Sequence, residues 1–192
     1  MEACGDRMQR LSTVLFALAL QGCVMARPVE RVSPSAQWLA DVATTDVCIP
    51  LDGEYQRQGM RSPPGGGPSP VIELNAFMHG RPAEPADFVE LRTNGSGNDL
   101  TVKSMAIGSP DHLVLSFVLK GLRCDHGWWV YEYGGDGYAD GVPIRFITIV
   151  RLTRTSSGGL VAHEVTQGES GLVFFRQPFR GEQWSRFEAY VR

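Results

Sequence analysis

Four histidines, His79, His112, His126 and His163, and four cysteines, Cys4, Cys23, Cys48 and Cys124, are the residues of this 192-residue chain best suited to metal or nucleophilic chemistry. Their spacing assembles neither. No His-x-x-x-His pair occurs, and no Cys-x-x-Cys or Cys/His cluster has the spacing of zinc ligands. A metal site built across strands is the alternative for histidines scattered in this way. Asp136 and Asp140 flank glycines in GGDGYADG, residues 134–141, as in a calcium loop. An EF-hand type loop needs acidic residues at alternating positions and a closing glutamate, so turn chemistry explains these letters better. The G-x-S-x-G elbow is absent, since Gly168-Glu169-Ser170-Gly171 lacks its spacing. A dyad of Cys124 with Asp125-His126 beside it is opposed by the strand geometry, which sends neighbouring residues to opposite faces. The aromatic run Trp128, Trp129, Tyr131, Tyr133 remains. Alternation sends Trp128 to one face and the other three to the opposite face. One set is then core, and the other lines a cavity or a partner surface, where Trp and Tyr are enriched. No catalytic residue, metal ligand or cofactor site is expected.

The two ends of the cysteine inventory have different fates. Leu11 to Leu20, LSTVLFALAL, is a nearly unbroken apolar run preceded by Arg7 and Arg10. A bilayer span needs about 20 residues, whereas a secretory h-region needs only about 7–15. A short buried helix is the alternative, but such a helix would show a polar face. Glu2 and Asp6 suit an n-region poorly, which points to Met8 as an alternative start. The run stops at Leu20-Gln21-Gly22-Cys23, which resembles the bacterial lipobox of aliphatic, loosely specified, small residue and cysteine. That resemblance implies diacylglyceryl transfer to the Cys23 thiol, cleavage before it, and anchoring of the mature chain in a bilayer through the acylated cysteine. Conventional cleavage after Val24-Met25-Ala26 is the other option. Val24 next to Cys23, rather than aspartate, implies outer-membrane sorting in a Gram-negative host. Cys4 leaves with the signal and Cys23 carries lipid, so Cys48 and Cys124 remain as a pair in an oxidising compartment and are expected to form a disulfide.

The elements that position these residues read as β. Residues 1–22 are signal, 23–46 a lipidated N-terminus and flexible tether, and 47–192 one domain. One or two helical turns are allowed at Ser35–Val42. Leu113, Leu115, Phe117 and Leu119 share a face, as do Ile144, Phe146, Thr148, Val150 and Leu152. Further strands are expected at 71–75, 99–106, 128–133, 159–166, 171–176 and 183–191. Turns are expected at Asn94–Gly97, Gly134–Gly137 and Ser157–Gly159, and RSPPGGGPSP, 61–70, reads as loop. Ala86–Arg92 fits either a helix or a strand. Such a series of short strands predicts a mostly β, antiparallel sandwich or barrel-like domain. The net charge is −3, and the sixteen arginines against two lysines are spread evenly. That balance argues against nucleic acid as a partner.

LDGEYQRQG, with Asp52, Gly53, Tyr55 and Gly59, resembles the opening of a group of small bacterial lipoproteins of unknown function. Cys124-x-x-Gly127-Trp128, the strand pair IRFITIVRLTRTSSGGLVAHEV and the ending Trp184-x-Arg186-Phe187 are similar to later segments of that group. Together they span most of the mature chain. The resemblance implies a lipoprotein and supplies no catalytic residues. The expected role is binding or structural and non-enzymatic, with a protein or other envelope component as partner. A lipocalin-like carrier of a small apolar ligand is the first alternative, and a hydrolase with residues assembled across loops is the second.

Overall fold

The computed structural model describes residues 36–42, 46–62, 70–79, 86–94, 97–108, 113–139, 141–172 and 175–191. The signal segment, Cys23, His112 and Asp140 lie outside the described residues, as does most of the 61–70 loop. The order is α1 (Ala36–Ala40), β1 (Gly53–Gln56), β2 (Gln58–Arg61), β3 (Val71–Glu73), α2 (Leu74–His79), β4 (Phe88–Thr93) and β5 (Asp99–Met105). There follow β6 (Leu113–Lys120), β7 (Arg123–Asp125), β8 (Trp128–Ala139), β9 (Val142–Arg154), β10 (Leu160–Leu172) and β11 (Phe175–Phe187).

Two antiparallel sheets result, β1-β4-β5-β6 and β3-β2-β11-β10-β9-β8-β7. Their inner faces supply one core. Tyr55, Val89, Leu91, Leu100 and Val102 come from the smaller sheet, and Val150, Leu152, Leu160, Ala162 and Phe187 from the larger. Fully burying one such aliphatic side chain contributes roughly 1.5–3 kcal/mol before the entropy of ordering it is set against it. The alternation expected for β9 is present, with Thr148, Val150 and Leu152 all buried on one face. After Phe187 the chain crosses to β1, where Gln56 N–H donates to Glu188 O at 2.9 Å and Tyr190 N–H to Glu54 O at 2.8 Å. The sheets are thus joined at one side. On the other side β6 and β8 are not paired with each other among the described strands, so the fold is a sandwich with a lateral opening and not a closed barrel.

Several sequence expectations are corrected. Gly134–Gly137 is not a turn but the middle of β8, held extended by pairing Gly134 with Ile147, Gly135 with Phe146 and Asp136 with Arg145. The hairpin reverses instead between Ala139 and Val142, where Gly141 has a φ of 78° that side chains tolerate poorly. The strands expected at 159–166 and 171–176 are one strand and the start of the next. β10 runs without a break to Leu172, which pairs with Phe175. Ala86–Arg92 resolves as strand β4, paired on both edges by β1 and β5. The strand expected at 71–75 ends at Glu73 and turns into α2, whose Leu74, Phe77 and Met78 enter the core. Part of the stretch read as tether packs on the domain. Trp38 is buried, Val42 bridges to Thr155, and Asp41 pairs with Arg186 at 2.7 Å. No described helix is long and apolar enough to cross a membrane.

Candidate functional site at the lateral opening

The aromatic strand divides as alternation requires. Trp129 and Tyr131 point inward, and the Trp129 Nε1–H donates to Ile49 O at 2.7 Å. Trp128 lies on the outer face, edge-on to Trp184 with centroids 6.1 Å apart. Tyr133, stacked on Tyr131 at 6.2 Å, stands at the border of the core and is 36% exposed. Phe146 closes this row edge-on to Tyr133 at 6.5 Å.

Between β6 and β8 lies a groove of about 390 Å³, lined by Met78 of α2, Phe117, Leu119 and Lys120 of β6, and Tyr131 and Tyr133 of β8. The order of strands explains its position. β6 ends the smaller sheet, and β8 is covered by β7 only along Trp128–Val130, so both borders are free strand edges. The lining is mostly apolar, with Lys120 and Glu132 as its charged residues. Tyr131 is 4% exposed, yet its hydroxyl has no hydrogen-bond partner among the described residues. Leaving such a group unsatisfied costs about 1–3 kcal/mol. Burial, aided by Tyr133 and Glu164, pushes its pKa far up, so it is a neutral phenol at any physiological pH.

Behind the two tyrosines sits Glu164. It shares the inward face with Leu160 and Ala162 and comes level with Tyr131 across β9, through the pairs Glu164–Val150 and Val150–Tyr131. Burial pushes its carboxyl up from the usual range, while Arg61 and hydrogen bonds from Thr166 and Tyr133 pull the other way. Among the described residues no cation lies within ion-pair distance of Glu164. Arg61 Nε and Ser185 Oγ, on the same inner face, are also buried without partners. Three of the four orphaned buried side-chain atoms among the described residues therefore gather on this face. Native interiors pair nearly all such groups, and clustered exceptions call for a guest molecule or a functional reason.

The other reactive residues lie elsewhere. Cys48 and Cys124 form the expected disulfide, with Cα atoms 5.8 Å apart, which leaves no free thiol for a dyad with His126. His126 is a largely exposed turn residue at a φ of 47°, 3.3 Å from Asp46. His163 is on the outer face, stacked on Trp184 at 4.0 Å and bonded to Glu182 at 2.9 Å. No group of three or more His, Cys, Asp or Glu among the described residues is placed to hold a metal ion. A second groove, of about 380 Å³ at the far end of β8–β11, has its charges satisfied internally: Arg145 pairs with Asp136 at 2.8 Å and Arg176 with Glu169 at 3.2 Å. Glu164 and Met78 were not among the residues singled out from the sequence, and Phe117 and Leu119 were read only as part of one strand face. The available signal was the interruption of an apolar inward face, Leu160-x-Ala162-x-Glu164, by a carboxylate.

Fold and site together define a two-sheet antiparallel β-domain with a lateral groove. No family model, curated protein or solved structure matches the chain.

Proposed function

We propose that this chain is a lipid-anchored envelope protein whose β-domain binds a small amphiphilic ligand in the groove between β6 and β8. The observation that carries the binding role is the groove itself, mostly apolar in its lining and including Tyr131, whose buried hydroxyl has no partner among the described residues. Ligand sites combine an apolar lining with a few fixed polar groups in this way. A purely structural domain gains nothing from leaving a buried phenol unpaired beside an opening. The groove is a side opening of a sandwich, so the role resembles that of a carrier without its closed barrel. No catalytic step is assigned.

The anchor rests on Leu20-Gln21-Gly22-Cys23 and on the disulfide, which suits an oxidising compartment. Two or more acyl chains on Cys23 hold a domain stably at a bilayer, where one is marginal. Palmitate label is expected in the wild-type protein and not in Cys23→Ala, with the uncleaved precursor accumulating under globomycin. In a Gram-negative host, Val24 in place of aspartate leads to the expectation that the protein sediments with outer-membrane markers on a sucrose gradient. A soluble product beginning at Arg27 overturns the anchor, and co-sedimentation with inner-membrane markers overturns the sorting. For the groove, 1-decanol is expected to bind the mature protein and change tyrosine and tryptophan fluorescence. Phe117→Asp, which charges the wall, is expected to abolish that change.

A further inference from the structure

The larger sheet ends in an apolar tip. The hairpins β8–β9 and β10–β11 finish on one level. Ala139 pairs with Val142, Leu172 pairs with Phe175, and the register that sets Ile144 opposite Ser170 brings Val142 level with Leu172. Side chains at this level are bare: Tyr138 is 78%, Val142 41%, Leu172 67% and Phe175 81% exposed. Hairpin ends that face only water are normally built from Gly, Asn and Asp. Behind the tip the charges are paired, Asp136 with Arg145 at 2.8 Å and Glu169 with Arg176 at 3.2 Å. Asp136, Arg145 and Glu169 each stand three residues back from the strand ends, about 10 Å at the rise of a strand.

We propose that this tip dips into the surface of a lipid bilayer, with Tyr138, Val142, Leu172 and Phe175 at the boundary between head groups and acyl chains. The contact goes beyond the groove reading and uses other residues. Interfacial elements sink about 5–10 Å, the depth of the apolar level ahead of the ion pairs. The pairs then lie among head groups, where Tyr138 and Arg176 keep their polar ends in water. Deeper entry is barred, because β8 beyond Val130 and most of β11 are free edges and hydrocarbon does not tolerate unpaired backbone groups.

Three features favour a bilayer over a protein. The four side chains offer roughly 500 Å², an aromatic supplying about 150–250 Å², against about 800 Å² per partner in a stable protein interface. Asp136, Asp140 and Glu169 balance Arg145, Arg176 and Arg180, so the tip is neutral in a chain of net charge −3. It has no field to match a charged partner, and it suits zwitterionic head groups. The third feature is reach. Val42 bridges to Thr155, at the end of β9 opposite the tip, and the 13 residues of β9 cover about 40 Å. The chain from Cys23 to Ala36 spans at most about 45 Å, so a lipid on Cys23 and the tip can meet one bilayer.

The test uses residues 23–192 carrying Cys23→Ala, which separates the tip from any acyl anchor. This protein is expected to float with phosphatidylcholine vesicles. Leu172→Asp together with Phe175→Asp is expected to lower the partition coefficient about tenfold or more, each change withdrawing an apolar side chain and adding a charge. Val191→Asp, equally exposed but beyond the other end of β11, is expected to leave it unchanged. Tyr138→Trp gives a reading on an intact tip: its added indole emission is expected to shift to the blue on vesicles. No flotation and no shift overturn the proposal, while the anchor and the groove stand on their own palmitate and decanol tests. Flotation unaffected by the two aspartates also overturns it. Binding confined to phosphatidylglycerol vesicles and lost at about 0.5 M salt replaces apolar insertion with electrostatic adsorption. A wild-type dimer in sedimentation that the aspartates dissolve assigns the tip to a second copy instead.

Discussion

Tyr55 and Tyr131 show how one residue type serves two ends. Tyr55 is fully buried, and its hydroxyl donates to Leu51 O at 2.8 Å, so its phenol, pushed up to about 12 by burial, is a satisfied core group. Tyr131 is almost as buried and its hydroxyl is unpaired. Tyr131→Phe is therefore expected to raise stability by about 1 kcal/mol, whereas Tyr55→Phe lowers it by a similar amount, both measured by urea unfolding. A gain at Tyr131 together with weaker amphiphile binding is the mark of a residue kept for function. His163 adds a pH dependence. Burial holds its imidazole below the usual value, against the pull of Glu182 and with Arg151 and Arg180 nearby. The unfolded chain takes up this proton as pH falls below about 6.5 and the folded chain resists it, so stability is complete above that pH and is lost as pH falls. Glu164 has the opposite sign: its raised pKa stabilises the fold at low pH and the contribution disappears as pH rises through it. His163→Phe, which keeps a ring against Trp184, is expected to flatten the fall in Tm between pH 7.5 and 5.5. An unchanged slope assigns that fall to other groups.

At the scale of elements, the strands of the larger sheet run farther than the core that covers them. β8 to β11 are 12–13 residues long, and their far ends leave Tyr138, Leu172 and Phe175 well exposed. The borders of this extension are built accordingly. Pro178 sits on β11 beyond its short pairing with β2, where a missing N–H costs no ladder bond. On β10, Gly168 lies under the Phe179 ring, and a side chain there would collide with the Arg145 carbonyl and that ring. The disulfide acts between elements. Cys48 leads toward β1 of one sheet and Cys124 belongs to β7 of the other, 76 residues apart, so the bond joins the two sheets covalently. Replacing both cysteines by serine is expected to cost about 2–4 kcal/mol in denaturant unfolding. Loss of less than half of that shows that the sheets are held by the core alone.

At the scale of the molecule, the packed body reaches back to α1. Trp38 is buried, Asp41 O accepts from Ser156 N–H at 2.9 Å, and Arg186 binds both Asp41 and Glu188. Removing residues 36–42 together with everything before them is expected to lower Tm by several degrees relative to a chain that begins at Ala36, equivalent to about 1–2 kcal/mol. Equal melting of the two variants shows that residues 36–42 contribute nothing to stability. If Cys23 carries lipid, the 13 residues from it to Ala36 span at most about 45 Å, which bounds the distance of the domain from the bilayer. Period-two alternation determined by itself that the chain is β, because every second position of β9 faces the core and most of these, such as Val150 and Leu152, are apolar. Cysteine arithmetic likewise pointed to the Cys48–Cys124 pairing, since chemistry leaves few partners. Neither Gly134–Gly137 as strand nor α2 as core was legible, because both owe their conformation to neighbours: β9 holds the glycines extended, and the space under the smaller sheet recruits Phe77 and Met78. The groove was hidden for the same reason. Tyr131 on β8, Phe117 on β6 and Met78 on α2 are far apart in sequence, and only the packing of two sheets joined along one side and open along the other brings them to a shared opening beside Glu164.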